Sequence, residues 1–160
     1  MRPMNYKTKK LPESDIELYL KHIVKNAEKC GIEYPPERVQ TFRDVLQKFM
    51  KDDESGLALA MYDDDGIIAS AMIDIFHSFD EAKQKEAEIM GVYVDEKYQG
   101  RGIAKKMIKE LFDFAKSNKI ARIYLYARTP TAKNLYQKLG FVQLLPDEYN
   151  GRVTMYLDPE

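Results

Sequence analysis

The sequence predicts an α/β protein: one mixed β-sheet with helices on both faces, in a single domain over residues 1–160. Three observations predict it. The apolar runs Leu57 to Tyr62 and Ile67 to Phe76 are joined by Asp63-Asp64-Asp65-Gly66, and Asp-Gly between apolar runs signals a hairpin. In the second half, strand-like runs alternate with helix-like runs, which implies helices packed on a sheet. Between Glu88 and Lys105, an apolar run passes directly into a glycine turn and the start of a helix.

Taken in order, residues 1–11 hold only a short edge strand around Tyr6 and Leu11. Ser14-Asp15-Ile16-Glu17 reads as a capping box opening a helix with Ile16, Leu20, Ile23 and Ala27 on one face, ended by Gly31. Pro35-Pro36-Glu37 starts a second helix, with Val39, Phe42, Leu46 and Phe49 inward. The polar loop 51–56 leads into the hairpin, and the charged segment Ser78 to Ala87 leads on to a central strand opened by Glu88. The helix after Gly102 carries Ile103, Ala104, Met107, Ile108, Leu111, Phe112, Phe114 and Ala115 at helical spacing, with Asn118 as its left-handed cap. Ile120 to Ala127 is the next strand. Thr131 caps a further helix presenting Ala132, Leu135, Tyr136 and Leu139, stopped by Gly140. Phe141 to Leu145 and Val153 to Leu157 close the sheet, joined by a turn at Asn150-Gly151.

Composition narrows the function. The 160 residues are 44% apolar and 32% charged, which describes a globular chain with a core of its own. A net charge of −1 gives no general attraction to nucleic acid or an anionic membrane. No apolar run could span a bilayer and no signal-peptide core opens the chain, so it reads as cytoplasmic. Cys30 stands alone, which excludes a disulfide framework. No metal site is expected. The three aspartates at 63–65 lack the glutamate that closes a calcium loop, and His22 and His77 read as packing or surface residues.

The stretch 88–105 carries the chemistry. Ile89, Met90, Val92, Tyr93 and Val94 suit a buried strand, and Gly100 and Gly102 allow a tight turn before the helix. Unpaired N–H groups and the helix dipole make such a turn an anion site, with Arg101, Lys105 and Lys106 adding positive charge. A nucleotide P-loop would need Gly-Lys-Ser/Thr, and a dinucleotide fingerprint would need glycine where Lys105 stands. Neither is present. What remains is Gln99-Gly100-Arg101-Gly102-Ile103-Ala104, a Q-x-x-G-x-A pattern that an ordinary helix-capping turn could also produce.

This hexapeptide resembles the acetyl-CoA signature of the GNAT N-acetyltransferases, and Leu135 to Phe141 resembles that family's second signature, L-Y-x-x-x-G-F. The likeness runs from about Leu57 to the C-terminus. It implies the GNAT-type acyl-CoA N-acyltransferase fold, acetyl-CoA as donor, a primary amine as acceptor and no metal. It also implies that Gln99, Gly100, Arg101, Gly102, Ile103 and Ala104 hold the pyrophosphate, largely through main-chain N–H, and that Arg101, Lys105 or Lys106 meets the adenosine 3′-phosphate, where the alternative is an ordinary exposed basic helix start. Val92, Tyr93 and Val94 would take the pantetheine arm as an added strand, beside a bulge, with an amide near Val94 as oxyanion donor. One departure is Thr129, which stands where the family often has a coenzyme-contacting asparagine. Asn134 either compensates or is a helix-surface residue.

Acetyl transfer needs a neutral amine, whereas an alkyl ammonium with a pKa of about 10 is protonated at neutral pH. A base must take that proton and an acid must protonate the leaving thiolate. By resemblance Glu88 is the base, since family members acetylating protein lysines carry a glutamate at this spacing. The alternatives are an exposed charge or an ammonium anchor, with Glu86 as the fallback base. Members acting on protein N-termini carry the base on the next strand, at a place Tyr124 fills here. Tyr136 is the general acid by the same resemblance, and otherwise a core aromatic.

The two N-terminal helices wall the acceptor pocket in the resembled family. Asp52, Asp53, Glu54, Asp80, Glu81, Glu86 and Glu88 could form an acidic rim or simply solvated loops. Tyr34, Phe42, Phe76, Phe79 and Tyr149 would suit an acceptor with an apolar part. Small amines, amino acids, aminoglycoside-like compounds and protein lysines all stay open as acceptors. The competing function classes are an acyltransferase with another acyl-CoA donor and a non-catalytic coenzyme-binding module. Dimerisation through the C-terminal strands is common in the resembled family, and the sequence itself reports nothing on it.

Overall fold

The computed structural model describes residues 6–78, 84–144 and 153–159. Its elements are β1 (Thr8–Lys10), α1 (Ile16–Lys29), α2 (Pro36–Lys51), β2 (Gly56–Asp63), β3 (Gly66–His77), β4 (Lys85–Val94), α3 (Ile103–Ser117), β5 (Arg122–Ala127), α4 (Pro130–Lys138), β6 (Val142–Gln143) and β7 (Val153–Leu157). Short 3-10 turns precede α1 and follow β4, at Glu13–Asp15 and Glu96–Tyr98. The strands form one sheet in the order β1-β2-β3-β4-β5-β7-β6. Its one parallel pair among the described residues is β4 with β5, because α3 must cross between them.

Helices cover both faces because each carries one apolar stripe. On one face Ile103, Met107, Ile108, Leu111 and Ala115 of α3 pack with Ala71, Ile73, Ala87, Ile89, Ile123 and Leu125. On the other, Ile16, Leu20, Ile23, Phe42, Leu46 and Phe49 from α1 and α2 pack with Ala58, Ala60, Ile67 and Met72. Alternation along each strand sends neighbouring residues to opposite faces, so one sheet serves two cores.

Several boundaries differ from the sequence reading for local physical reasons. No side chain caps α1: a 3-10 turn led by Pro12 delivers the chain into it, so the expected capping box is absent. Thr129, rather than Thr131, caps α4; its Oγ1 accepts from the N–H of Ala132 at 3.1 Å, and Pro130 fills the first helical position. After α3 the left-handed residue is Lys119, at φ 56°, while Asn118 keeps a φ of −99° and its side chain donates to the Phe114 carbonyl. Glu88 is the fourth residue of β4 rather than its first, because the strand begins at Lys85. Of the strand expected from Phe141 to Leu145, β6 spans Val142–Gln143, and Leu145 lies outside the described residues. The turn at Asn150-Gly151, and Phe79, Asp80, Glu81 and Tyr149, lie outside the described residues.

Candidate functional site

Strands β4 and β5 pair over only three positions, Glu86 with Arg122, Ala87 with Ile123 and Glu88 with Tyr124. Beyond Glu88 the two strands part, leaving that edge of β4 without a β5 partner. A bulge contributes to the parting. Between Met72 and Ser70, β3 spends two steps, while β4 spends three between Met90 and Tyr93. The extra residue is accommodated at Gly91, whose φ of +64° is left-handed and whose carbonyl accepts from Ser70 Oγ at 2.7 Å. Gly91 carried no signal in the sequence reading beyond being a glycine inside a strand.

The gap is a cleft of about 1080 Å³ that passes from one face of the sheet to the other. Its lining includes Glu88, Val92, Tyr93, Val94, Gln99, Gly100, Gly102, Ile103, Ala104, Lys105 and Tyr136, so the structure gathers most of the sequence-predicted residues in one place. Arg101 and Asn134 are not in that lining; Arg101 lies with its guanidinium carbon 5.4 Å from the centre of the Tyr98 ring, and Asn134 is exposed on α4.

At one end of the cleft sits the N-terminus of α3. Gly100 and Gly102 adopt φ of +75° and +76°, as the turn requires. The cap supplies no side-chain acceptor and the first turn of α3 holds no acidic residue. Its N–H groups and dipole are therefore offered outward, beside Lys105. Gln99 acts differently: its N–H is spent on the Glu96 carbonyl, and its side-chain amide donates to the Val94 carbonyl at 3.0 Å, tying the turn to the end of β4. Tyr98 donates to Asp63 at 2.6 Å, anchoring the turn to the β2–β3 hairpin. The same aspartate accepts from the N–H groups of Asp65 and Gly66, so it is committed to the turn. An N-terminus of this kind, next to an unpaired strand edge, fits the phosphates and amide-bearing arm of acetyl-CoA.

Alternation divides the rest between the faces. Tyr136 belongs to the α3 side, 6% exposed and packed on Phe141, and burial pushes its phenol up to about 12. Its hydroxyl makes no hydrogen bond with a described residue, an uncommon state for a buried polar group. Glu88 is half-buried and stands two residues from Met90, hence on the α1–α2 side. There the cleft is walled by Tyr34, Arg38 and Phe42, with Tyr93, Tyr126 and Arg128. The hydroxyls of Tyr34 and Tyr93 are 2.8 Å apart and bridge the start of α2 to β4. Of the expected acidic rim, Asp52, Asp53 and Glu54 lie outside the lining, and Lys10 pairs with Asp53 at 2.6 Å. Phe76 stacks on Tyr124 at 6.5 Å, also outside the lining.

Sequence reasoning missed a buried polar cluster under the end of β4. His22 is 4% exposed; its Nε2 lies 3.3 Å from the Tyr93 carbonyl and its Nδ1 3.3 Å from Asp95. Asn26 donates to Asp95 at 2.9 Å and also lines the cleft. Desolvation lowers the His22 pKa, opposed by the charge of Asp95. The signal was faint but legible: His22 and Asn26 are four apart on one helix.

A splayed parallel pair, a bulged strand and an uncapped helix N-terminus together frame this one cleft. The chain belongs to the acetyltransferase (GNAT) family, whose model matches residues 21–141. It is 33% identical over 101 residues to the spermine/spermidine N(1)-acetyltransferase of Bacillus subtilis (strain 168), covering 61% of this chain and 66% of that protein, about two thirds of its length. Among solved structures it resembles a predicted acetyltransferase with acetyl-CoA from Clostridium acetobutylicum, with TM-score 0.76 and 20% identity over 90% of this chain and 94% of that one. It also resembles an acetyltransferase of the GNAT family from Staphylococcus aureus Mu50, with TM-score 0.79 and 15% identity over 97% and 99%. At those identities the structural likeness is one of fold. Among the described residues no helix is long and apolar enough to cross a membrane.

Proposed function

We propose that the protein moves an acetyl group from acetyl-CoA to a primary amine of a small molecule or protein, by direct attack in a ternary complex. The observation that carries this reading is the cleft through the sheet, with Glu88 on one face and, on the other, a Tyr136 hydroxyl that has no hydrogen-bond partner among the described residues. A donor lying along the free edge of Val92 to Val94 would meet an amine entering from the α1–α2 side. The phosphates would rest on the N–H groups from Gly100 to Ala104, with Lys105 beside them. Binding of acetyl-CoA by the Clostridium structure, which shares the fold, is consistent with this placement.

Glu88 takes the amine proton, directly or through water, so that the lone pair becomes the nucleophile. The new C–N bond forms as the C–S bond breaks, Tyr136 gives its proton to the departing sulfur, and the second proton shed by the acylated nitrogen returns through water to the tyrosinate. Burial suits Tyr136 to that part: with its pKa near 12 it holds its proton at any physiological pH. An amide of the bulged strand, at Val94, faces the charge developing on the carbonyl oxygen. We read the protein further as a cytoplasmic enzyme folded as a single domain over residues 1–160, and the near-neutral net charge supports the reading that nucleic acid is not its partner.

Calorimetric titration with acetyl-CoA and free CoA tests the donor site, comparing wild type with Gly102→Glu. Open space surrounds a Cβ at Gly102, so no clash opposes the variant, but its φ of +76° strains any L residue by about 1–2 kcal/mol; Gly102→Ala, run beside it, carries that strain without the negative charge placed where the phosphates belong. Binding by wild type and its loss in Gly102→Glu are expected, followed by thiol release with an amine panel. Absence of binding to the wild type would overturn the proposal.

A further inference from the structure

We propose that the acceptor carries an acid group, a carboxylate or a phosphate, held by Arg38 and Arg128, while its amine is directed to Glu88. This rests on the transferase reading above and adds the acceptor's chemical class to it. Both arginines line the cleft, Arg38 from α2 and Arg128 from the residue after β5. Some cations of this chain are spent on carboxylates, Arg43 on Glu17, Arg122 on Asp158, Lys48 on Asp74 and Lys29 on Glu96, whereas Lys105 and Lys138 of the same cleft, like Arg38 and Arg128, are in no ion pair among the described residues. Among the described residues, no ion pair involves Arg38 or Arg128.

Position places both on the acceptor side. Ile123, Leu125 and Ala127 face α3, so Tyr124 and Tyr126 face the other way, toward α1 and α2. The positive charge of Arg128 partly offsets the burial that raises the Tyr93 phenol, which puts the guanidinium near that hydroxyl. Arg38 lies over the rings of Tyr34 and Phe42, with its guanidinium carbon 5.8 Å and 5.9 Å from their centres. The aromatic pair Tyr34–Tyr93 therefore stands beside both charges.

Two guanidiniums on the wall of one cleft, Arg38 exposed and Arg128 half-buried, with no ion pair among the described residues, attract an anion and repel a polycation. A guanidinium also matches the planar carboxylate or the phosphate by paired hydrogen bonds. Glu88, on the same face but where the strands still pair, supplies the opposite charge for the amine end. The arrangement suits a bifunctional acceptor and opposes a polyamine, despite the 33% identity to a spermine/spermidine N(1)-acetyltransferase. Acetyl-CoA carries phosphates of its own, and those are the competing source of an anion at these arginines.

Thiol release is measured for amino acids and glucosamine 6-phosphate against spermidine and putrescine, in wild type, Arg38→Gln and Arg128→Gln. Calorimetric acetyl-CoA titrations run in parallel. We expect an acid-bearing amine to exceed spermidine at least tenfold in kcat/KM, and each variant to raise its KM at least tenfold. The acetyl-CoA affinity of both variants should stay within about twofold of wild type. Preference for spermidine, or silence toward both classes while acetyl-CoA still binds, overturns the inference and leaves the donor site standing. Variants that weaken acetyl-CoA instead assign the arginines to the coenzyme and overturn it too. Failure of the wild type to bind acetyl-CoA removes the transferase reading and this inference with it.

Discussion

Gly91→Ala tests whether the bulge in β4 shapes the cleft. The residue sits at φ +64°, and placing an L side chain in that region costs about 1–2 kcal/mol. A Cβ there would also lie 2.9 Å from Met72 Cε and 3.2 Å from Ile23 Cδ1. The methionine terminus can swing aside, whereas Ile23 is held in the α1 packing, so crowding adds roughly 1 kcal/mol. The total, about 2–3 kcal/mol, corresponds to a fall in Tm of very roughly 4–12 °C for a chain of this size. The alternative open to the variant is to release the bulge, which would shift Val92 to Val94 by one position and send their side chains to the wrong faces. Denaturant melts report the stability cost, and calorimetry with acetyl-CoA reports the strand edge. We expect both to suffer. A variant as stable as wild type would refute the backbone argument. A destabilised variant with undiminished coenzyme affinity would refute the link between the bulge and the site.

Other outcomes follow from single residues. Tyr136→Phe should lower kcat by about 10²–10⁴ while acetyl-CoA affinity barely moves, and an unchanged kcat in stopped-flow thiol release would strip the hydroxyl of its role. His22 has its pKa lowered in the fold from an ordinary 6.5, so the unfolded chain binds the proton first. Its contribution to stability is therefore present above about pH 6.5 and is lost as pH falls from there toward the folded value. Tm measured from pH 7.5 to pH 5 should fall more steeply for wild type than for His22→Asn, and parallel curves would contradict the assignment. Leu111→Ala, at a fully buried place in α3, should cost about 2–5 kcal/mol in urea melts.

The sequence exposed those features whose cause is local. The glycines at 100 and 102, the alternation through β5 and the stripe of α3 are each decided within a few residues, and each is found where expected. Features decided by tertiary context were illegible. Nothing local distinguishes Ser14 as a cap from Pro12 leading a 3-10 turn, because what matters is where the preceding chain enters. Gln99 reads as a phosphate-loop residue, yet its amide is drawn to a carbonyl that only the folded β4 presents. The acidic loops could be weighed by composition but not placed, and Asp53 is taken up by Lys10. Arg38 and Arg128, ninety residues apart, become neighbours of one cleft only through the sheet.

The division of the cleft by the sheet also separates what is fixed from what can vary. The end proposed for the donor is built almost wholly from backbone: a strand edge, a bulge and the N-terminus of a helix. Substitutions there matter chiefly through φ or bulk, as at Gly91 and Gly102. The end proposed for the acceptor is built from side chains: Tyr34, Arg38 and Phe42 on the α2 side, Tyr93, Tyr126 and Arg128 on or next to the strands. Replacing those leaves strand pairing intact, since none is required to supply a ladder hydrogen bond through its side chain. A chain can therefore keep its coenzyme site and change its acceptor by exchanging a few charges on one face. Such an exchange could part this protein from a relative named for polyamines without disturbing the fold they share.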